Sequence, residues 1–207
     1  MTLIDAVATA LVPPLCAACG RSCRPDATVC TRCSRRLAAA DPLEGPGPAG
    51  IDRAWSASAH EGVARDLVTA LKFRRLISVT DLMADRIQWL APARVLSGTI
   101  VPVPTAPLRS AMRGFDPAAE IAAALAHRTE LPLQTCLVRR GGGRQVGKRR
   151  AQRIGHPPLI HTRGQTPRSV LLIDDVLTTG ATLSSCAQAL RNAGAIRIVA
   201  ITFTRRL

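Results

Sequence analysis

Apolar residues recur along the chain with two periods, and the alternation between them predicts an α/β protein. Val170-Leu-Leu-Ile173 is an uninterrupted β-type run, of the length expected for a parallel strand buried on both faces. Leu183 to Asn192 then takes helical spacing, Asn192-Ala-Gly194 predicts its C-cap, and Ile196 to Phe203 predicts a last strand. Upstream, residues 51–59 set Ala, Trp and Ala in alternation with polar positions, which predicts a strand. Val63 to Phe73 has helical spacing through Val63, Leu67, Ala70 and Leu71. Asp81 to Leu90 predicts a second helix, capped by Ser78 or Thr80. Thr99-Ile-Val-Pro-Val-Pro104 predicts a short strand that leaves its sheet at the prolines. Pro117 to Ala126, begun at Asp116, predicts an alanine-rich helix, and Gln134 to Val138 the next strand. Strands alternating with helices in this way predict a mostly parallel sheet flanked by helices.

The strongest break in the pattern is Asp41-Pro-Leu-Glu-Gly-Pro-Gly-Pro-Ala-Gly50, with three prolines and three glycines. It reads as a linker and sets a domain boundary near residue 48, dividing a small segment, 1–48, from an α/β domain, 49–207. Met1 to Leu15 reads as a short amphipathic helix. It carries Asp5 and no Lys or Arg, so it lacks the basic start of a signal peptide. No stretch reaches the roughly 20 apolar residues of a membrane helix, and the expected location is the cytoplasm.

Charge changes this picture. The net charge is +14, and residues 99–166 hold eleven Lys and Arg against three acids. Such a field favours polyanions, either nucleic acid or a pyrophosphate-bearing metabolite. Aromatics are few (Trp55, Phe73, Trp89, Phe115, Phe203), which argues against a single-strand reader built on stacked aromatic platforms.

Directly after Val170–Ile173 stand two acids, Asp174 and Asp175, and then Thr178-Thr179-Gly180-Ala181-Thr182 opening the predicted helix. A strand, a hydroxyl- and glycine-bearing loop and a helix start together make an anion site, with backbone N–H groups and the helix dipole turned toward a phosphate. Gly180 is expected to let the backbone approach the ligand closely. The acid pair suits a sugar phosphate whose hydroxyls, or a divalent cation, face the carboxylates. Neither a Gly-Lys-Ser/Thr phosphate loop nor a Gly-x-Gly-x-x-Gly fingerprint occurs. A second candidate anion site is the turn carrying Arg109, Arg113 and Gly114, beyond the strand at 99–104. Lys72, Arg74 and Arg75 read first as favourable charge at a helix C-terminus.

Two further stretches carry chemistry. Cys16-Ala-Ala-Cys19 and Cys30-Thr-Arg-Cys33 are Cys-x-x-Cys pairs able to close a four-sulfur structural zinc site, with a redox dithiol as the alternative. Ser34 to Ala40 predicts a short helix finishing that knuckle. Cys23 falls outside both pairs and is left out of the site, while Cys136 and Cys186 read as core thiols. Residues 139–153 bring together Arg139, Arg140, Arg144, Lys148, Arg149, Arg150 and Arg153 with four glycines and no acid. This stretch reads as a flexible basic loop with a short helix from Val146. It could be a solvated charge run, a flap over a polyanion, or a clamp on nucleic-acid phosphates.

Val170–Thr182 resembles the phosphoribosyl-pyrophosphate (PRPP) signature of type I phosphoribosyltransferases. Leu71-Lys-Phe73, Val101-Pro-Val-Pro104, Arg113-Gly-Phe115 and Gln145-Val-Gly147 follow in an order similar to that of the ComF family, which joins a zinc-ribbon-like segment to a type I phosphoribosyltransferase-like domain. Asp116-Pro117 stands where that family often has Asn-Gln. The resemblance implies that Asp174 and Asp175 hold the ribose hydroxyls and that Thr178, Thr179, Gly180, Ala181 and Thr182 cradle the 5′-phosphate. It further implies Lys72, Arg109 and the basic loop on the pyrophosphate, with Mg²⁺ as its cation. Two functions follow from it. One is a transferase releasing pyrophosphate from PRPP or acting on another ribose 5-phosphate compound. The other is a non-catalytic single-stranded-DNA-binding accessory of DNA uptake, working beside a DNA-uptake helicase. No base-reading constellation is visible: only residues 51–62 and the cysteine segment remain for an acceptor, with Trp55 as their sole aromatic.

Overall fold

The computed structural model describes residues 14–140 and 158–207. The expected helices at Met1–Leu15 and from Val146 fall largely or wholly outside the described residues, as do Gln145-Val-Gly147, Arg144, Lys148, Arg149, Arg150 and Arg153. In chain order the elements are α1 (Thr31–Ala38), β1 (Leu43–Gly45), β2 (Arg53–Ala59), α2 (Gly62–Arg74), α3 (Val79–Leu90), β3 (Thr99–Pro102), α4 (Pro107–Arg113), α5 (Pro117–Thr129), β4 (Leu137–Arg139), β5 (Ile160–Thr162), β6 (Ser169–Leu177), α6 (Ala181–Asn192) and β7 (Arg197–Arg205).

Five strands form one sheet in the order β1-β2-β7-β6-β3, parallel throughout except for antiparallel β1 at one edge. The apolar run of β6 makes it a central strand. Leu171 and Ile173 pack on one face with Leu67, Leu71, Met83, Ile121 and Leu125 of α2, α3 and α5. Val170 and Leu172 pack on the other face with Leu183, Cys186, Ala187 and Leu190 of α6. Burial on both faces is what an unbroken hydrophobic strand requires. No helix among the described residues is long and apolar enough to cross a membrane.

The structure differs from the sequence reading at several places. Gln134 to Val138 does not extend the sheet. Ile100 exchanges hydrogen bonds with Pro132 and Gln134, and the chain then turns away to pair β4 with β5 in a separate two-stranded ribbon. Pro102, two residues along β3, has no N–H to continue that ladder. The turn expected at Arg109 and Arg113 is the short helix α4, closed by Gly114 at φ 80°. Ser78 stands at the N-cap position of α3 as expected but makes no side-chain cap bond, and the Thr80 hydroxyl donates back to Ile77 O at 2.7 Å. The aromatic ring of Trp55 is 2% exposed within the core and is closed to any ligand.

The Pro/Gly stretch 41–50 is an ordered strap. Its residues Leu43–Gly45 form β1, and Glu44 holds Arg53 at 3.1 Å and Arg94 at 2.8 Å. Farther along, the Gly50 carbonyl accepts from Arg191 Nε at 3.2 Å, and Arg191 also pairs with Asp52 at 2.6 Å. The strap therefore joins the cysteine segment to the flank of α6. Cys16, Ala17, Val29, Cys33 and Leu37 of that segment pack into the same core as Trp55, Leu67 and Phe203.

Candidate active site and metal centre

Asp174 and Asp175 occupy the carboxyl end of β6, where ligands of open α/β sheets gather. Alternation along the strand sends them to different surroundings. Asp175, 6% exposed, turns to the α2 side and forms an ion pair with Lys72 Nζ. The contact is ionic: Oδ2 of Asp175 is buried against Lys72 and accepts no well-aligned hydrogen bond among the described residues. Asp174 is half-buried, and its Oδ1 accepts from the Asp175 backbone N–H at 2.8 Å. Enclosure of the carboxyl itself and the Asp175 charge beside it push Asp174 well above the usual carboxylate range, and Lys72 offsets only part of that.

Facing the acids are basic groups from three separate elements. Lys72, Arg109, Arg113 and Arg139 line one cleft of about 250 Å³ with Asp174, Asp175, Thr178 and Thr182. Two of the short motifs named above meet here, because the Arg113 guanidinium lies over the Phe73 ring at 5.8 Å. Arg75 donates to Met112 O at 2.7 Å and fastens the end of α2 to α4. The loop that carries these arginines is closed by Asp116. Its carboxylate accepts from Thr105 N at 2.8 Å, from the Thr105 hydroxyl at 2.9 Å and from Ala118 N at 3.1 Å. Asp116 is thus the N-cap of α5, with Pro117 at its first position.

The loop Thr178–Gly180 leads into α6, whose N-terminus carries no side-chain cap. The Ala181 N–H faces the Thr179 hydroxyl at 3.4 Å, which leaves the N–H groups of Thr182 and Leu183 for an anion. Thr178 and Thr182 line the cleft, Thr179 is exposed, and Gly180 is buried. The expected reason for Gly180 is corrected by its surroundings. A Cβ there would stand 2.5 Å from Pro48 Cγ of the strap, and φ is +76°. The glycine serves the strap and the left-handed turn rather than a ligand's approach. Gly180→Ala is expected to lower stability by at least about 1–2 kcal/mol, the usual cost of a left-handed non-glycine residue. A thermal melt equal to that of the unsubstituted protein would contradict the packing of Pro48 on this turn.

Sequence reasoning put Arg139 in the basic loop, whereas it ends β4 and reaches the cleft. Arg140 is exposed, its N–H bonded to Leu159 O at 3.0 Å. Sequence reasoning assigned no role to His60. Its Nδ1 lies 2.8 Å from the Thr204 hydroxyl. No local signal marks it, since the contact joins the ends of β2 and β7.

The four cysteines come together as expected. Sulfurs of Cys16, Cys19, Cys30 and Cys33 all lie within 4.8 Å of one another, with Cys19 and Cys30 at 3.7 Å. Zn–S bonds of about 2.3 Å place tetrahedral sulfurs about 3.8 Å apart, so the cluster fits a metal ion such as zinc. Cys16 and Cys33 are buried and Cys19 is exposed. Burial raises the Cys16 thiol, but backbone N–H groups of Cys19, Cys30 and Ala18 outweigh it and bring it down to about 6. Backbone N–H of Cys33 likewise lowers Cys30, while burial pushes Cys33 up. Cys23 turns away, its thiol donating to Ala27 O at 3.3 Å.

Residues 110–207, just under half of the chain, match the family model of the phosphoribosyl transferase domain. No curated protein sequence matches the chain. Similar solved structures include the allosteric regulatory enzyme of purine biosynthesis, at 20% identity and a TM-score of 0.41 over 59% of this chain and 24% of that one. The glutamine PRPP amidotransferase from B. subtilis is 19% identical, with a TM-score of 0.40 over 69% of this chain and 28% of that one. Orotate phosphoribosyltransferase from Aeropyrum pernix is 22% identical, with a TM-score of 0.38 over 62% and 63%. The chain thus spans about a quarter of the length of the first two and under two thirds of the third. Residues 110–207 are thus similar to a phosphoribosyl transferase domain and carry the acid pair of β6 and the start of α6, while β1, β2 and β3 from earlier in the chain complete the mostly parallel sheet.

Proposed function

We propose that the protein binds PRPP with Mg²⁺ in the cleft above β6 and transfers its phosphoribosyl group with release of pyrophosphate. The observation that carries this reading is the convergence in one cleft of an acid pair, a helix start and four basic side chains from three separate elements. On this reading the first turn of α6, with Thr178 and Thr182, takes the 5′-phosphate. Asp174 and Asp175 accept from the ribose hydroxyls and stabilise the positive charge that develops at C1. Lys72, Arg109, Arg113 and Arg139 face the pyrophosphate, whose concentrated charge makes electrostatic stabilisation the main contribution. Mg²⁺ carried by the ligand neutralises the leaving oxygens. The four cysteines hold zinc in a closed structural site, with no position left for substrate. The order of Leu71-Lys-Phe73, Val101-Pro-Val-Pro104 and Arg113-Gly-Phe115, together with this site, supports membership of the ComF family.

Titration calorimetry tests the pocket. Mg-PRPP is expected to bind at one site per chain, more tightly than either ribose 5-phosphate or Mg-pyrophosphate, because it engages both halves of the cleft. Lys72→Ala is expected to weaken it by about 10- to 100-fold, the worth of one charge-assisted hydrogen bond. Equal affinity for all three ligands would count against a two-part cleft.

A further inference from the structure

Lys72 has two partners in the cleft, Asp175 and the pyrophosphate, and one ammonium group cannot serve both fully. We propose that Lys72 determines which ligands the cleft accepts. Its ion pair with Asp175 must open before either half of PRPP can bind, so a ligand carrying one half binds weakly and a ligand carrying both binds well. This rests on the proposed PRPP reading and deepens it.

The pair is enclosed, with 22% of the Lys72 side chain and 8% of the Asp175 side chain exposed. Solvent therefore does little to replace either partner when the other leaves, and a buried charge that loses its partner is costly. Lys72 is one of four cations lining the cleft, with Arg109, Arg113 and Arg139. Among the described residues it alone of the four pairs with an acid. The pair thus bridges the two halves of the cleft, the acids of β6 and the arginines of α4 and β4.

The chain lets Lys72 change partners without moving its helix. The end of α2 is fastened to α4 by Arg75, which donates to Met112 O at 2.7 Å. Phe73, the next residue, lies under the Arg113 guanidinium, with 5.8 Å between the guanidinium carbon and the ring centre. The arginine side of the cleft is therefore beside the Lys72 backbone. A flexible four-carbon stem carrying three N–H donors can turn from Asp175 toward it.

Each half-ligand strands one member of the pair. Ribose 5-phosphate, donating its hydroxyls to Asp175, leaves Lys72 among three arginines. Pyrophosphate, drawing Lys72 away, leaves Oδ2 of Asp175 buried next to Asp174, two carboxylates without their cation. PRPP supplies a partner to both. The same exchange links product departure: once pyrophosphate leaves, Lys72 returns to Asp175 and competes with the ribose hydroxyls that remain.

The test is titration calorimetry of the full-length protein with ribose 5-phosphate and with Mg-pyrophosphate, each alone and each with the other saturating. In the unsubstituted protein each is expected to tighten the other by about 5- to 150-fold, the usual range for coupled sites. In Lys72→Ala the coupling should fall below about two-fold, and ribose 5-phosphate alone should bind at least about 5-fold more tightly, although a positive charge has been lost. Lys72→Met keeps the stem and its packing and gives the same readings where alanine disturbs α2. Independent binding of the two ligands to the unsubstituted protein overturns the inference. So does coupling that survives in both variants, which would assign it to contact between the ligands themselves. Ribose 5-phosphate affinity that is unchanged or weaker in both variants overturns it as well. In each of these cases both ligands bind and the pocket stands. Failure of either ligand to bind the unsubstituted protein, even with the other saturating, overturns the two-part pocket and the inference with it.

Discussion

Replacing Asp174 and Asp175 together by Asn is expected to weaken Mg-PRPP binding by more than about 100-fold, because two charge-assisted hydrogen bonds to the ribose are lost. The single change Asp174→Asn separates binding from folding. Enclosure and the neighbouring Asp175 raise the native Asp174 carboxyl well above its ordinary value of 3.8. A raised acid favours the native state only while it stays protonated. Its contribution is present below about pH 3.8 and is lost as pH climbs through the raised native value. Asp174→Asn should therefore melt higher than the unsubstituted protein at neutral pH, with the gap closing as pH falls toward 4. Each kcal/mol is worth about 2–4 °C in a chain of this size. A ligand-binding residue that destabilises the empty fold is the pattern expected at a functional site. Melting curves that coincide at every pH would remove the case for a strained carboxylate.

Metal removal should have the second large effect. Cys16→Ser takes one of four sulfurs from a cluster whose members Cys16 and Cys33 are buried in the main core. We expect loss of about one zinc per chain, read by elemental analysis, and an unfolding transition lowered by several kcal/mol, since metal binding in such sites is folding free energy. The core shared with Trp55 and Leu67 predicts one merged transition rather than separate melting of residues 14–40. Retention of the full metal content in Cys16→Ser would mean that Cys23 has rotated from Ala27 O into the vacated position. Full retention of stability after chelation would contradict the structural role.

How much of this was legible in the sequence depends on the range of the forces involved. The strand β6 and its acid pair were readable because burial on both faces leaves an unbroken apolar run that ends where the polar site begins. The four-sulfur cluster was readable because each knuckle is local, with Gly20 N bonded to Cys16 O at 2.9 Å and Ser34 N to Cys30 O at 2.9 Å. What distant parts of the chain decide was not. Lys72 looked like an ordinary helix-end charge until α2 brought it to Asp175. Helix α2 ends at Arg75, a non-glycine residue in the left-handed region at φ 54°, which no turn residue announces. The strap 41–50 looked like a linker because its prolines and glycines suit one, but its pairing with β2 and its packing on Gly180 are tertiary. The bond between His60 and Thr204 stayed hidden for the same reason.

In the proposed function the acid pair and the start of α6 form the donor pocket. A crystal of the protein grown with Mg-PRPP tests it most directly. The 5′-phosphate is expected on the first-turn N–H groups of α6 and the ribose hydroxyls within hydrogen-bond reach of Asp174 and Asp175, with pyrophosphate toward Lys72 and Arg109. Ligand density confined to the arginine-rich surface, with both carboxylates uncontacted, would contradict it.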